Sequence, residues 1–159
     1  MIRSIEAFRS DDVGDWVAEL SCLHSQHVRH RPPFWNRPWV LTEAERRRQI
    51  GAEIECPLCD RAELPDDLHL ARTAGPFDEV SLPVGLRRAH LVADRTWAVV
   101  RVLEGAITFT MDSEPPVAVE LHRGDAQPIP PGVEHALHPG PPVVVAVDFL
   151  VRSPGGASA

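Results

Sequence analysis

The stretch GDAQPIPPGVEH, residues 124–135, sets Gly124, five further residues, Pro130, Gly132 and then His135 in order. Glycine reaches positive φ without steric cost, and proline fixes φ while removing a donor, so Gly124 and the Pro130–Gly132 segment each mark a turn. The chain between them reads as a strand, and the strand after Gly132 carries His135. Similar short strands run outward from this point. TWAVVRVL, AITFTM, VAVELH and the nearly continuous apolar run VVVAVDFLV are separated by glycine and proline turns between Phe77 and Arg152. That texture predicts a compact all-β barrel or sandwich over residues 77–152.

The 159 residues suit one large or two small domains at about 100–200 residues per domain. The change of texture before Phe77 favours two. A net charge of −7 leaves no broad cationic face for phosphates, so nucleic acid is not an expected partner. Every one of the 16 basic residues is arginine, which excludes nucleophilic or Schiff-base lysine chemistry. The N-terminal MIRSIEAFRSDDVGDW has no long apolar run behind a basic start. It reads as neither secretory signal nor membrane span, and a cytoplasmic protein with no membrane partner is expected. Three cysteines, an odd number, point to metal ligation in a reducing compartment rather than to a disulfide framework.

Residues 1–60 open on a hairpin pattern, with Ile2, Ile5 and Phe8 before the turn-rich SDDVGD and Trp16, Val17 and Leu20 after it. RPPFWNRPWV is too rich in proline for a helix and reads as an ordered loop anchored by Trp35 and Trp39. One short helix follows in TEAERRRQIG, where Thr42 caps, Glu45 completes a capping box and Gly51 supplies the left-handed stop. Arg46, Arg47 and Arg48 spread around it as a solvated face, with a protein partner as the other use of that face. Residues 61–76 read as a polar linker and 153–159 as a disordered tail.

A module of about 60 residues lies near the lower limit for a fold held by its core alone, so a structural metal would help it. Cys22-x-His24 and Cys56-x-x-Cys59 supply three sulfurs and one imidazole, the donor set of closed zinc sites. The competing reading makes these cysteines small buried hydrophobes. His27 and His30 compete with His24 for the fourth position, and the Cys-x-His spacing favours His24. The series GDWVAEL, C-x-H-x-QHVRH-x-PPF, RPWVLTE and C-x-x-CD resembles a small bacterial domain family of unknown function described as zinc-ribbon-like. Leu23 stands where that family is expected to have glycine. The resemblance implies a metal-stabilised module.

The spacing from Gly124 to His135 resembles the second sequence motif of the cupin superfamily. The first motif is degraded: counting back from Gly105, Ala98 takes the glutamate slot and His90 alone survives as a ligand. More narrowly, LPVGLRRAHLVADRTWAVVRVLEGAITF, PIPPGVEHALHP and VDFLV are similar to the TehB/YeaR-like cupin family, named after tellurite-resistance proteins. That family keeps histidines at the His90 and His135 positions. The expected fold is therefore mainly β, a zinc-ribbon-like module with one short helix followed by a small cupin, or double-stranded β-helix, barrel.

Asp148 stands out on elementary grounds, because a carboxylate in a strand buried on both faces costs several kcal/mol unless paired or bound. With His90 and His135 it would complete a two-histidine, one-carboxylate triad for a second divalent metal, iron, manganese, nickel or zinc. Alternatively it pairs with Arg88 or Arg101, two residues that in the metal reading supply a cationic rim for an anionic ligand. No general base or nucleophile stands out. The expectation is a metal-binding cupin that recognises or modifies a small polar or anionic molecule, in stress or tellurite and other oxyanion response. The alternative is a non-enzymatic sensor acting through a protein partner. A homodimer is also compatible with a barrel that has edge strands.

Overall fold

The turn SDDVGD does close a hairpin. In the computed structural model, which describes residues 1–153, β1 (Ile2–Ser10) pairs antiparallel with β2 (Trp16–Leu20). The carboxylate of Asp11 caps the turn by accepting from the backbone N–H groups of Val13 and Asp15 at 3.0 and 2.8 Å. The flanking strands β3 (Ser25–Val28) and β4 (Glu53–Glu55) complete an antiparallel sheet of order β3-β2-β1-β4. Ile5, Val17, Ala18, Leu20 and Val28 are buried and form a small core.

Between β3 and β4 the proline-rich segment is a loop ending in a 3₁₀ turn, Pro38–Val40. Trp39 packs on Phe8, ring centroids 5.8 Å apart. Trp35 does not anchor the loop: it is 51% exposed, because backbone hydrogen bonds between Arg31 and Trp35 close a tight turn that holds the ring outside. Helix α1 (Glu43–Arg48) is capped by Thr42, whose hydroxyl oxygen accepts from the Glu45 N–H at 3.3 Å. The return contact of the cap runs from the Thr42 hydroxyl to the Glu45 carboxylate, 2.8 Å, instead of from the Thr42 backbone. Gly51 follows at φ +84°. Arg46 departs from the expected solvated face. Its guanidinium lies 3.5 Å from the Trp16 ring centroid and donates to the Val40 carbonyl at 2.6 Å. A second short helix, α2 (Pro57–Asp60), was not apparent from the sequence and carries Cys59.

By internal contacts the chain divides between Pro57 and Leu58, within α2. The second unit is built on two long strands, β7 (Thr96–Met111) and β10 (Glu134–Arg152). Around them lie β5 (Leu68–Asp78), β6 (His90–Leu91), β8 (Val117–His122) and β9 (Ala126–Ile129). The order is β5-β10-β7-β8, with β6 also on β10 and β9 also on β7. One half of β7 pairs with β9 and the other with β8, while β10 pairs with β6 at its start and β5 at its end. Register shifts at Pro139/Val143 and Val144/Val145 bend the central pair, and the sheet curls on itself. At the bend Gly105 has φ +70°, and a Cβ there would lie 1.9 Å from the Pro142 carbonyl oxygen. Trp97, Phe109, Ile107, Leu137, Val100 and Val102 fill the interior.

Two expectations change here. Residues 68–76, read as linker, belong to β5, an edge strand whose side chains are mostly exposed on both faces and so leave no alternating signal. The expected tail largely falls outside the described residues: only Ser153 is described, its hydroxyl 3.2 Å from His69 Nδ1, and 154–159 are not. Among the described residues no helix is long and apolar enough to cross a membrane.

Candidate metal centre

The turn from β2 into β3 is tight. Leu23 donates its N–H to the Leu20 carbonyl, and Leu20 donates to the carbonyl of His24. Leu23 sits at φ +73°, the left-handed region where glycine would be relaxed, at a cost of about 1–2 kcal/mol for an L residue. Its side chain is buried, which offsets that cost. This turn aims Cys22 and His24 the same way. Cys56 follows β4, its N–H bound to the Met1 carbonyl, and Cys59 lies within the short helix α2 that comes next.

The ligand atoms of Cys22, His24, Cys56 and Cys59 all lie within 4.8 Å of one another, and all four residues are buried. Cys22 Sγ and Cys56 Sγ are 3.8 Å apart, and His24 Nδ1 lies 3.5 Å from the first and 3.4 Å from the second. A tetrahedral ion with sulfur at about 2.3 Å and nitrogen at about 2.05 Å gives edges of about 3.8 Å between sulfurs and about 3.55 Å between sulfur and nitrogen. The donor set fits such an ion. The charge environment agrees: burial lowers the His24 pKa, but Cys22 and Cys56 together override it and raise it to about 9. Metal binding at this imidazole would have to displace that proton.

His27 and His30 lie outside this group. His27 Nε2 is 2.9 Å from Asp11 Oδ2, and His30 Nδ1 accepts from the Arg37 N–H.

In the second unit the expected triad is not assembled. His90 and His135 do meet, edge to face with ring centroids 5.3 Å apart. Asp148 does not join them: one oxygen accepts from Thr73 Oγ1 at 2.6 Å, and the two together receive Arg101 at 2.6 and 3.1 Å. The Arg101 guanidinium, ahead of the smaller opposing effect of burial, holds the Asp148 carboxyl below the usual range. The cause is register. Asp148 faces Val99 across β7 and Thr73 across β5, whereas His135 faces Met111 and His90. Arg101 is thereby committed to an ion pair and is not a free rim cation, while Arg88 is exposed at the end of a 3₁₀ turn.

His135 is buried, and burial lowers its pKa, so the neutral ring is favoured. The carbonyl of Val133 can only accept, so His135 Nδ1, 3.0 Å away, carries the proton and Nε2 is left with its lone pair. No sequence signal identifies that carbonyl as the group fixing the tautomer.

Comparison with known proteins finds two family matches along the chain. Residues 7–63 match the family model "Protein of unknown function (DUF3565)", and residues 72–145 match that of the TehB-like domain. The first part of the chain is thus similar to DUF3565 and the second to TehB-like domains. All four converging ligands, Cys59 included, fall inside the DUF3565 match. No curated protein matches the chain. Among solved structures, a protein from E. coli strain K12 aligns at TM-score 0.52 and 18% identity over 58% of this chain and 98% of its own, which shows a shared fold. TehB from Haemophilus influenzae aligns at 0.46 and 16% identity, covering 56% of this chain and 33% of that one. The Drosophila melanogaster CENP-C cupin domain aligns at 0.32 and 14% identity over 92% and 74%.

Proposed function

We propose that the chain is a metal-binding cytoplasmic protein in which zinc stabilises the DUF3565 module and the TehB-like domain binds a small polar or anionic molecule at His90 and His135. The observation that carries the first half is the buried set of three sulfurs and one imidazole within 4.8 Å of one another, with Cys22, His24 and Cys56 at tetrahedral edge lengths, the donor set that structural zinc prefers. Two apposed imidazoles, one held neutral with Nε2 available, support the second. The TehB-like match supports a ligand drawn from oxyanion stress, tellurite included, with a second metal ion at the imidazoles as the recruiting centre.

Binding is favoured over turnover, because Asp148, the carboxylate an open two-histidine metal site would use, is taken by Arg101 and Thr73. The molecule then acts as a sensor, and a protein partner on the DUF3565 module is the natural recipient of its signal. Metal content and calorimetric tellurite titration of wild type, Cys56→Ser/Cys59→Ser and His90→Ala/His135→Ala test both halves. Zinc should vanish only from the cysteine variant and tellurite binding only from the histidine variant. Zinc retained without the two cysteines, or tellurite binding unchanged without the two histidines, overturns the corresponding half.

A further inference from the structure

His135 is the register partner of His90 on one side and of Met111 on the other. Residues directly opposite across antiparallel strands share a face, with Cβ atoms about 4.5–5.5 Å apart. Imidazole, imidazole and thioether therefore stand in one row across β6, β10 and β7. The face is the interior: Leu137 and Phe109, the next pair on it, are fully buried, as are Met111 and His135, whereas Glu134 and His138 on the other face are exposed. The Phe109 ring stacks beside His135, centroids 6.3 Å apart.

We infer that His90, His135 and Met111 form a binding site for a soft monovalent metal ion, Cu(I), in the TehB-like domain. This rests on the reading that the two imidazoles hold a metal, and it names the third ligand and the ion. The donor set decides the ion. Thioether sulfur selects soft cations, and imidazole accepts copper readily. None of the three ligands is anionic, and Asp148, the carboxylate expected beside the two histidines, is committed to Arg101. The cost of burying an ion grows with the square of its charge, so an all-neutral site favours a single positive charge over two. The hydrogen bond from His135 Nδ1 to the Val133 carbonyl is the outer contact that ligating histidines usually make, and it leaves Nε2 with its lone pair. Three ligands leave a further position for a soft donor from the bound molecule.

The test uses the full-length zinc-loaded chain with carbon-13 methionine methyls, titrated anaerobically with Ag(I), a redox-inert stand-in for Cu(I). The chain has two methionines, so the spectrum holds Met1 and Met111, and Met111→Leu assigns them. A zinc indicator counts any silver taken by the Cys22/Cys56/Cys59 thiolates. Beyond that amount, one equivalent of Ag(I) should move the Met111 methyl, and Met111→Leu should weaken its uptake about tenfold or more. Zn(II) in place of Ag(I) should leave the methyl unmoved. If silver binds through the imidazoles, being lost in His90→Ala/His135→Ala, while Met111 stays still, the inference is overturned and the histidine site stands. If silver uptake is the same in that double variant, both fall.

Discussion

Cys22 Sγ and Cys56 Sγ lie 3.8 Å apart with His24 Nδ1 within 3.5 Å of each, although 34 residues separate the two cysteines in the chain. With His24 and Cys59 these sulfurs form the donor set of a structural zinc site, the proposed source of this unit's stability. Chelation should therefore lower the stability of the N-terminal unit by at least about 3 kcal/mol. Cys56→Ser/Cys59→Ser should behave like the chelated wild type. Thermal unfolding followed separately for the two units, with and without a chelator, reads this directly. A transition unchanged by chelation would remove the structural role of the ion.

Asp148 and Arg101 give a pH dependence whose sign is fixed. The folded carboxyl titrates below its ordinary value of 3.8, mainly because of Arg101. The stabilisation is therefore fully present above the unfolded pKa and is lost as pH falls through the lower folded value. Asp148→Asn should cost about 1 kcal/mol at neutral pH, a modest figure because Arg101 is partly solvated. Urea denaturation of wild type and variant should converge as pH drops below 3.8. Metal content should not change in the variant.

Much of this architecture was legible in the chain. Gly124 and Gly132 stand at φ +94° and +65°, the turns that their spacing with Pro130 demanded, and the SDDVGD hairpin closes where its flanking apolar residues require. The convergence of Cys22, His24, Cys56 and Cys59 was legible because Cys-x-His and Cys-x-x-Cys are local spacings that a single turn can aim. Asp148 was misplaced for the opposite reason. Its strand pattern reports burial, but its partner is diagonal across a bent ladder, since Ala146 and not Asp148 faces Arg101 directly. That diagonal depends on register shifts that no local pattern encodes. Met111 was passed over for the same reason, its neighbours being set by pairing across two strands. Edge strand β5 was missed because an edge needs only backbone partners.

Arg46 separates from its neighbours in α1. It is 8% exposed, stacked on Trp16 and bonded to the Val40 carbonyl, whereas Arg47 and Arg48 are exposed. Arg46→Ala should destabilise the N-terminal unit by about 2 kcal/mol through the lost charged hydrogen bond and cation–π contact. Arg48→Ala should stay within about 0.5 kcal/mol of wild type. Arg46→Lys should recover only part of the loss, because an ammonium does not reproduce the planar stack. Equal effects at positions 46 and 48 in denaturant titration would contradict the buried placement.

Gly105 tests the bend that lets β7 and β10 each serve two pairings. A Cβ at this position would meet the Pro142 carbonyl oxygen at 1.9 Å and its carbon at 2.9 Å, and the φ of +70° is itself unfavourable for alanine. Both obstacles are backbone, so no side-chain rotation relieves them. Gly105→Ala should cost about 3 kcal/mol or more, with the loss confined to the second unit. Gly124→Ala supplies the control, because it shares the positive φ but meets nothing within 4 Å. It should cost about 1 kcal/mol, the conformational part alone. Amide exchange should show Val102 and Val143 losing protection in the Gly105 variant and keeping it in the Gly124 variant. Equal losses at the two glycines would mean that strain in φ, and not the close approach of the Pro142 carbonyl, is what position 105 requires glycine to avoid.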